Sequence, residues 1–362
     1  MKKILFATHS PYYIGGEKSM LDVLKGIKSY FNVALLVPEG ELYEIAKKEG
    51  IKVYKLPFKD SLIWKTKRKF LLPLFKSEIP KILEGLNKIV KDYNPDIIYT
   101  HSMKMHLFFS LFFLKNKKKL VWHFRDIPEE SSKFIFKFFS IFPNRIIAIS
   151  EGVKRFFPIK SKIRVVYNGI KIPEKIEENN NIKKKRFTIL SVGNIQYWKA
   201  QDLIIECAKR LKNFDFWIIG DAIHPGEKKF KDKIIKKIKE EKIENVILWG
   251  KRDDVFSFYK ECDVFLHIPR AREGFGRVIV EAMAMKKPVI VSNVAALPEI
   301  VNDAGFLVRN GDLDDICSKI LLYHNDENLR KEMGERGFIR YKNLFTPEKM
   351  VEGVLKCLKE II

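Results

Sequence analysis

The sequence predicts an α/β protein built from two tandem Rossmann-like domains, each a parallel sheet covered by helices. Two observations carry this prediction. Short apolar runs alternate with segments of helical periodicity along nearly the whole chain. At 362 residues, the chain also exceeds the usual length of a single hydrophobic core, so two domains are expected. A polar stretch near the middle interrupts the alternation and marks the boundary between them.

Apolar runs in the first half predict strands at 3–7, 31–37, 51–56, 96–100, 120–124, 145–149 and 163–166. Between them, helical patterns are expected at 41–49 and 79–93, with residues 107–114 as a crossover segment. Residues 171–186 are polar, charged and without periodicity, which predicts a linker. We therefore predict a first domain over residues 1–170.

The alternation restarts after the linker and predicts strands at 188–192, 214–219, 246–249, 264–268, 289–291 and 305–308. These strands define a second domain over residues 187–345. In open parallel sheets, ligands bind outside the carboxyl ends of the strands. Two such domains are therefore expected to face each other across a central cleft that holds the ligand.

Composition excludes several classes of protein. The four cysteines are scattered singly, which favours neither a zinc site nor a disulfide framework and fits a reducing cytoplasm. No secretory signal follows Met1, and the longest apolar run, residues 107–114, is far below the roughly 20 residues of a membrane span. We expect a cytoplasmic protein, with a peripheral position at the inner face of a membrane as the alternative.

The formal net charge of +23 predicts an anionic partner. No nucleic-acid-binding motif accompanies the lysines, so nucleic acid is not the expected partner. Residues 62–72 and 133–142 instead mix basic residues with large apolar ones, as segments at an anionic membrane interface do. The alternative is a basic helix that packs its apolar face on its own domain.

Residues 269–285 contain the most informative pattern. An apolar run is followed by Glu273, the turn Gly274-Phe275-Gly276, the start of a helix and Glu281. Glycines let the backbone approach a ligand closely, and a helix N-terminus attracts an anion without a metal. The flanking carboxylates can accept hydrogen bonds from paired hydroxyls, so the pattern predicts a site for a phosphate and a sugar. A simple strand–turn–helix connection with two solvated glutamates is the alternative.

Other marked residues follow predicted strands. In the first half they are Gly15, Gly16, His123, Arg125 and Asp126. In the second half they include Gly193, Asn194, Lys199, Gly250 and Arg252. His9, His101 and His267 do not have metal-ligand spacing, so no metal site is expected.

Taken together, the second-half motifs resemble those of retaining glycosyltransferases of family 4, which have the GT-B fold. The resemblance rests on residues 193–199, the helix after Ala200, Gly250, residues 273–283, 288–292, 298–300 and 305–308. In the first half it rests on residues 15–17, His123 and residues 147–153. It covers nearly all of the second domain.

The resemblance implies a nucleotide-diphosphate sugar as the donor, with no cofactor. Glu281 would hold the ribose, Glu273 the hydroxyls of the donor sugar, and Lys199 the departing diphosphate. Phe275, Gly276, Arg277 and Val278, after Gly274, would offer backbone N–H groups to the donor. The family usually has Arg where this chain has Asn194; the missing cation would come from Arg125, Arg252, Arg270, Arg272 or Arg277.

Across the cleft, the resemblance implies that the loop at Gly15 and Gly16 closes on the diphosphate, and that His123 lies near the transferred sugar. Arg125 and Asp126 are acceptor candidates beside it, although Asp126 is equally suited to cap the turn at residues 127–128. Residues 346–362 would form a terminal helix that returns to the first domain. The acceptor is expected to be a glycan or lipid-linked molecule, in surface polysaccharide or glycolipid synthesis.

The implied chemistry is front-face transfer with retained configuration, in which the leaving phosphate helps to deprotonate the acceptor. Lys199 and the helix N-terminus would stabilise the leaving group without a metal. Two alternatives stay open at this point. One is a nucleotide-sugar epimerase of the same shape, and the other is a basic, non-catalytic protein that binds membrane or nucleic acid.

Overall fold

The computed structural model describes residues 1–13, 15–56, 71–113, 118–177, 179, 182, 184–222, 225–271 and 273–362, with the backbone alone for 71–79, 113 and 225. The described chain forms two compact units. Unit 1 comprises Met1–Gly169 and Pro347–Ile362, and unit 2 comprises Ile170–Thr346.

Unit 1 contains a parallel sheet of seven strands in the order β3-β2-β1-β4-β5-β6-β7, counted over the described residues. The strands are β1 Lys3–Ala7, β2 Asn32–Val37, β3 Lys52–Lys55, β4 Ile97–Thr100, β5 Lys119–Phe124, β6 Arg145–Ala148 and β7 Ile163–Val165. The helices are α1 Gly15–Ile27, α2 Glu41–Lys48, α3 Leu71–Tyr93, α4 Met103–Phe113, α5 Glu130–Phe139 and α6 Glu151–Lys154. The predicted Rossmann-like sheet is confirmed.

Unit 2 contains a parallel sheet of six strands in the order β10-β9-β8-β11-β12-β13, again over the described residues. The strands are β8 Thr188–Val192, β9 Asp215–Ile219, β10 Val246–Gly250, β11 Val264–His267, β12 Val289–Ser292 and β13 Gly305–Val308. The helices are α7 Gln201–Arg210, α8 Pro225–Glu240, α9 Val255–Glu261, α10 Arg277–Ala284, α11 Leu297–Val301, α12 Leu313–Asn325 and α13 Glu327–Leu344. This second sheet is confirmed as well.

The terminal helix, α14 Pro347–Lys359, packs in unit 1, as the resemblance implied. Met350, Val354 and Leu358 are buried with the residues of α1 in one core. Met350 also accepts hydrogen bonds at its sulfur from Ser19 Oγ, at 3.1 Å, and from the Gly169 backbone N–H, at 3.2 Å. The amphipathic spacing of these apolar residues explains why the last segment of the chain joins the first domain.

The polar segment that was predicted as a linker contacts unit 2 at several described residues. Asn179 donates to the Asp254 carboxylate over 2.5 Å, and Ser257 Oγ donates to the Glu177 carbonyl over 2.7 Å. Lys184 forms an ion pair with Asp263 at 2.7 Å. These contacts tie the segment to α9 and to the start of β11.

Two elements differ in extent from the prediction. Helix α3 begins at Leu71, eight residues before the predicted start at residue 79, and it contains Pro80. The crossover segment is the helix α4, which begins at Met103. The basic-aromatic residues 62–70 lie outside the described part of the chain. No helix within the described residues is long and apolar enough to span a bilayer.

Candidate active site

In unit 2, the strand order reverses between β8 and β11, so this is the switch point at which open parallel sheets bind ligands. The loop after β8 continues through Gly193 to a single 3-10 turn, Tyr197–Lys199. Strand β11 ends at His267, and the loop after it leads to Glu273. The topology therefore brings the two candidate residues Lys199 and Glu273 to the same end of the sheet.

Lys199, Glu273 and His267 form a buried charged cluster at this position. Lys199 Nζ donates to Glu273 Oε2, and the same oxygen accepts from His267 Nε2 at 3.1 Å. The exposed side-chain fractions are 15% for Lys199, 14% for Glu273 and 3% for His267. Glu273 Oε1 accepts no hydrogen bond from the described residues, so this oxygen can receive a ligand hydroxyl.

The cluster holds Glu273 in its ionised form. Burial alone would raise its pKa, but the Lys199 ammonium and the hydrogen bond from His267 lower the pKa to about 2. Burial and the neighbouring Lys199 lower the pKa of His267, so this imidazole is neutral and carries its proton on Nε2. Glu273 is therefore a fixed anionic acceptor at neutral pH, suited to positioning hydroxyl groups.

Local backbone geometry fixes Lys199. The next residue, Ala200, is the N-cap of α7 and lies in the left-handed region at φ 60°, an unusual conformation for a residue with a Cβ. Arg270 supports the turn, because its guanidinium lies 4.4 Å from the Tyr197 ring centroid and binds both carboxylate oxygens of Asp202 at 2.8 and 2.7 Å. The turn is thus held from both sides.

The glycine turn before α10 has the geometry that the sequence analysis required. Gly276 has φ 83°, and a Cβ there would lie 2.8 Å from Ile279 Cδ1 and 3.0 Å from Leu297 Cδ2. Phe275 is buried and packs edge-on against Phe345, 5.7 Å between ring centroids. No side chain caps the N-terminus of α10. The first N–H groups of this helix are therefore presented by a rigid turn.

Glu281 lies on α10 and contacts a buried tyrosine. Tyr259 Oη lies 3.1 Å from Glu281 Oε2 and 3.0 Å from the Val278 carbonyl. Burial and the neighbouring Glu281 raise the pKa of Tyr259 well above its ordinary value, so the hydroxyl remains protonated and donates. The carboxylate is thereby oriented from within the helix packing.

The remaining candidates of unit 2 surround this site. Gly274 is buried, whereas Asn194 is exposed, and Arg277 and Val278 in the first turn of α10 are half-buried. Gly250 has φ 69° at the end of β10, with open space where a Cβ would lie. Each of these positions lies close to the carboxyl end of a strand or to the start of α10.

Of the five arginines considered as replacements for the cation missing at Asn194, two already bind carboxylates. Arg252 binds Asp254 at 2.8 and 2.7 Å, and Arg270 binds Asp202 as described above. Arg277 is the first residue of α10, and Arg272 lies outside the described residues. Arg125 belongs to unit 1. The carboxylate contacts of Arg252 and Arg270 make these two residues poorer replacements, and Arg277 lies beside the glycine turn.

In unit 1, the switch point lies between β1 and β4, and the candidates His123, Arg125 and Gly16 come together beside it. Arg125 Nη1 donates to Ser19 Oγ at 3.0 Å and to Asn168 Oδ1, and its Nε donates to His101 Nδ1 at 3.2 Å. Gly15 begins α1, and Asp126 is exposed. Arg125 thus links α1 to the ends of β4 and β5.

The contacts define where the protons of the two histidines lie. His101 Nδ1 accepts from Arg125, so its Nε2 donates to the Gly16 carbonyl at 2.9 Å. His123 Nδ1 lies 2.6 Å from the Tyr99 hydroxyl and 3.4 Å from Arg125 Nη2, which can only donate, so Nδ1 accepts and the proton is on Nε2, a buried atom with no hydrogen-bond partner in the described structure. Burial and Arg125 lower the pKa of both imidazoles. His123 therefore presents a neutral, fixed donor.

Sequence reasoning missed three residues of these networks. His267 and His101 were considered only as metal ligands, and Tyr259 was not singled out. Both histidines directly follow or end a strand at a switch point, which is the signal that would have found them. Tyr259 had no such signal, because its contact with Glu281 arises from helix packing. Among the described residues, no group of three His, Cys, Asp or Glu side chains is arranged to hold a metal.

Comparison with known proteins agrees with this geometry. The family model of Glycosyl transferases group 1 matches residues 173–340, and that of Glycosyltransferase Family 4 matches residues 15–172. The chain is 33% identical over 235 residues to an uncharacterized glycosyltransferase, MJ1178, of Methanocaldococcus jannaschii. It is 32% identical over 225 residues to the capsular polysaccharide biosynthesis glycosyltransferase CapM of Staphylococcus aureus.

These alignments cover 63% of this chain and 63% of MJ1178, and 56% of this chain and 58% of CapM. Among solved structures, HepE of Anabaena in complex with UDP-glucose superimposes with a TM-score of 0.83, at 20% identity, and covers 100% of both chains. At this identity the likeness shows the fold. The two family models together extend from residue 15 to residue 340. The chain therefore belongs to glycosyltransferase family 4 and has the GT-B fold.

Proposed function

We propose that this protein is a retaining, metal-independent glycosyltransferase that moves a sugar from a nucleotide-diphosphate donor to a glycan or lipid-linked acceptor. The observation that carries the proposal is the buried Lys199–Glu273 pair at the switch point of unit 2, in the same loop system as the glycine turn before α10. A relative named for capsular polysaccharide biosynthesis supports a role in surface polysaccharide or glycolipid synthesis. A structural neighbour solved with UDP-glucose supports a nucleotide sugar as donor.

Each residue then has a defined task. The bond between the anomeric carbon and the diphosphate oxygen breaks, and the electron pair goes to the diphosphate. Lys199 and the N-terminus of α10 stabilise that charge, while Glu273 holds sugar hydroxyls and Glu281 holds the ribose. The acceptor oxygen attacks the same face of the sugar and its proton passes to the leaving phosphate, so no protein nucleophile is needed. In unit 1, His123 is assigned the role of a neutral hydrogen-bond donor to substrate, through Nε2.

The ion pair of Lys199 with Glu273 determines how this cation responds to a bound diphosphate. In the structure, its charge is balanced by Glu273, so the pair is neutral before a donor binds. A diphosphate that arrives near the ammonium shares it with Glu273, and the additional charge that develops in the transition state is met by a preorganised cation. The pair therefore stabilises the transition state more than it stabilises the bound donor.

The test is Lys199→Ala, assayed by release of nucleoside diphosphate from UDP, GDP and ADP sugars with chelator present. Loss of one preorganised donor typically lowers turnover about 10²- to 10³-fold. The matched control is Lys184→Ala, which removes a comparable ion pair, with Asp263, away from the site. Near-wild-type turnover of Lys199→Ala, with a folded protein, would contradict the proposal. Isomerised donor would favour an epimerase instead.

A further inference from the structure

Helix α5, Glu130–Phe139, leaves an apolar face exposed. The exposed fractions are 78% for Phe134, 44% for Ile135, 53% for Phe138 and, just beyond the helix, 45% for Ile141. Phe136 alone is buried within the helix, and its ring packs edge-on against Phe124 at 5.5 Å. The second interpretation from the sequence, a helix that packs its apolar face on its own domain, therefore accounts only for Phe136.

Helical geometry explains why these side chains share one surface. At about 100° per residue, Phe134 and Phe138 lie about 40° apart, and both are about 160° from Phe136. Ile135 lies on one flank of this pair. Lys133 and Lys137 lie on the other flank, also about 40° from each other. We call this surface, completed by Ile141, the α5 face.

Lysines from neighbouring segments border the α5 face. Lys162 Nζ donates to the Ile141 carbonyl at 2.7 Å, and Lys137 Nζ lies 5.7 Å from the Phe156 ring centroid. Lys160 Nζ donates to the carbonyls of Lys154 and Arg155 at 2.9 and 3.0 Å, and desolvation together with repulsion from Lys154 lowers its pKa.

Two acidic residues beside this border each pair with a lysine one turn away on the same helix. Glu130 binds Lys133, and Glu151 binds Lys154 at 3.0 Å. Within the described residues, Lys137, Lys160 and Lys162 form no ion pair. The α5 face thus combines protruding aromatic and aliphatic groups with these three lysines at its edge.

We propose that the α5 face inserts into an anionic lipid surface. Apolar groups that enter the headgroup boundary, with lysines beside them, match the chemistry of an interfacial helix. A second copy of the chain is a poorer occupant, because its identical lysine border would meet this one. Nucleic acid is also a poorer one, since Ile135 and Ile141 offer no stacking surface. The inference gives a location to the membrane contact expected of a lipid-linked acceptor, and so rests on the proposed function.

The test is sedimentation of the full-length protein with vesicles of phosphatidylcholine alone or with about 30% phosphatidylglycerol. We expect binding to the anionic vesicles, weakened by added salt. Phe134→Ser/Phe138→Ser should weaken it at least about tenfold, because the inserted rings are lost. Ile339→Ser is the matched apolar control, since Ile339 is 58% exposed on α13 of unit 2.

Charge is tested separately with Lys137→Gln/Lys160→Gln, against Lys236→Gln on α8, where the lysine side chain is 73% exposed. The first variant should weaken binding to anionic vesicles several-fold and the control should not. The proposal is overturned if wild type ignores both vesicle types, if the paired Phe variant binds like wild type, or if the face instead mediates self-association in sedimentation velocity runs.

These outcomes are independent of catalysis. Release of nucleoside diphosphate from the donor without vesicles should be unchanged in the α5 variants, because none of the substituted residues is assigned to donor binding or catalysis. A protein that binds vesicles but consumes no donor would keep the α5 proposal and contradict the proposed function. A protein that consumes the donor but binds no vesicles would keep the proposed function and contradict the α5 proposal.

Discussion

The buried pair of Lys199 and Glu273 makes a quantitative prediction for stability. The structure lowers the pKa of Glu273 from an ordinary 4.5 to about 2, which corresponds to about 3 kcal/mol of stabilisation at neutral pH. Burial raises this pKa, and among the groups that lower it Lys199 contributes most and His267 next. We therefore assign about 2 kcal/mol to the Lys199–Glu273 pair itself. Both side chains are well buried, so solvent screening reduces this value little.

The perturbation is a double-mutant cycle of Lys199→Met and Glu273→Gln. Urea titrations of the full-length chain give the free energy of unfolding, fitted unit by unit because two units need not unfold together. We expect a coupling of about 2 kcal/mol at pH 7. Lys199→Met alone should be the most destabilised variant, because it leaves the Glu273 carboxylate buried without its cation.

The pH dependence has a definite sign. The pKa of Glu273 is lower in the folded than in the unfolded state, so its stabilisation is complete above pH 4.5 and is lost as the pH falls toward 2. Glu273→Gln should flatten the loss of unfolding free energy in that window. A coupling below about 0.5 kcal/mol, or an equally steep acid loss in the variant, would refute the reasoning.

Two further predictions concern α10. Gly276→Ala forces a Cβ into a left-handed turn and against Ile279, so it should lower the free energy of unfolding by about 2 kcal/mol in thermal melts. Gly311 also has a positive φ, at 78°, but a Cβ there would meet nothing within 4 Å, so Gly311→Ala should lower the free energy of unfolding by less. Equal losses in the two variants would contradict the steric argument. Tyr259→Phe removes the donor to Glu281 and should raise the donor KM about fivefold, at a cost of about 1 kcal/mol, with kcat little changed. A lower kcat with an unchanged KM would contradict a positioning role.

Much of the fold could be predicted from the sequence because buried parallel strands have a local signature. Strands such as β1 and β4 are short apolar runs bounded by polar residues, and their predicted positions agree with the structure to within one or two residues. The start of α3 was placed too late, because the helix begins at Leu71 and continues through Pro80, a residue that ordinarily interrupts a helix.

The candidate site was predictable only where chemistry is encoded in a loop. Glu273 and Gly276 could be placed from the spacing of one strand, one turn and one helix. The contact of Lys199 with Glu273 joins residues 74 positions apart, and the tautomer of His123 depends on Tyr99 in the next strand. Such contacts come from topology, so no local pattern contains them.

The measurement that tests the central claim most directly is a proton NMR time course of the donor sugar's anomeric signal, recorded with the enzyme, an acceptor and excess chelator. We expect that the donor signal is lost as nucleoside diphosphate appears, that the product keeps the donor's anomeric configuration, and that Lys199→Ala abolishes both changes. A product of inverted configuration, an isomerised donor, or activity that requires a divalent metal would contradict it.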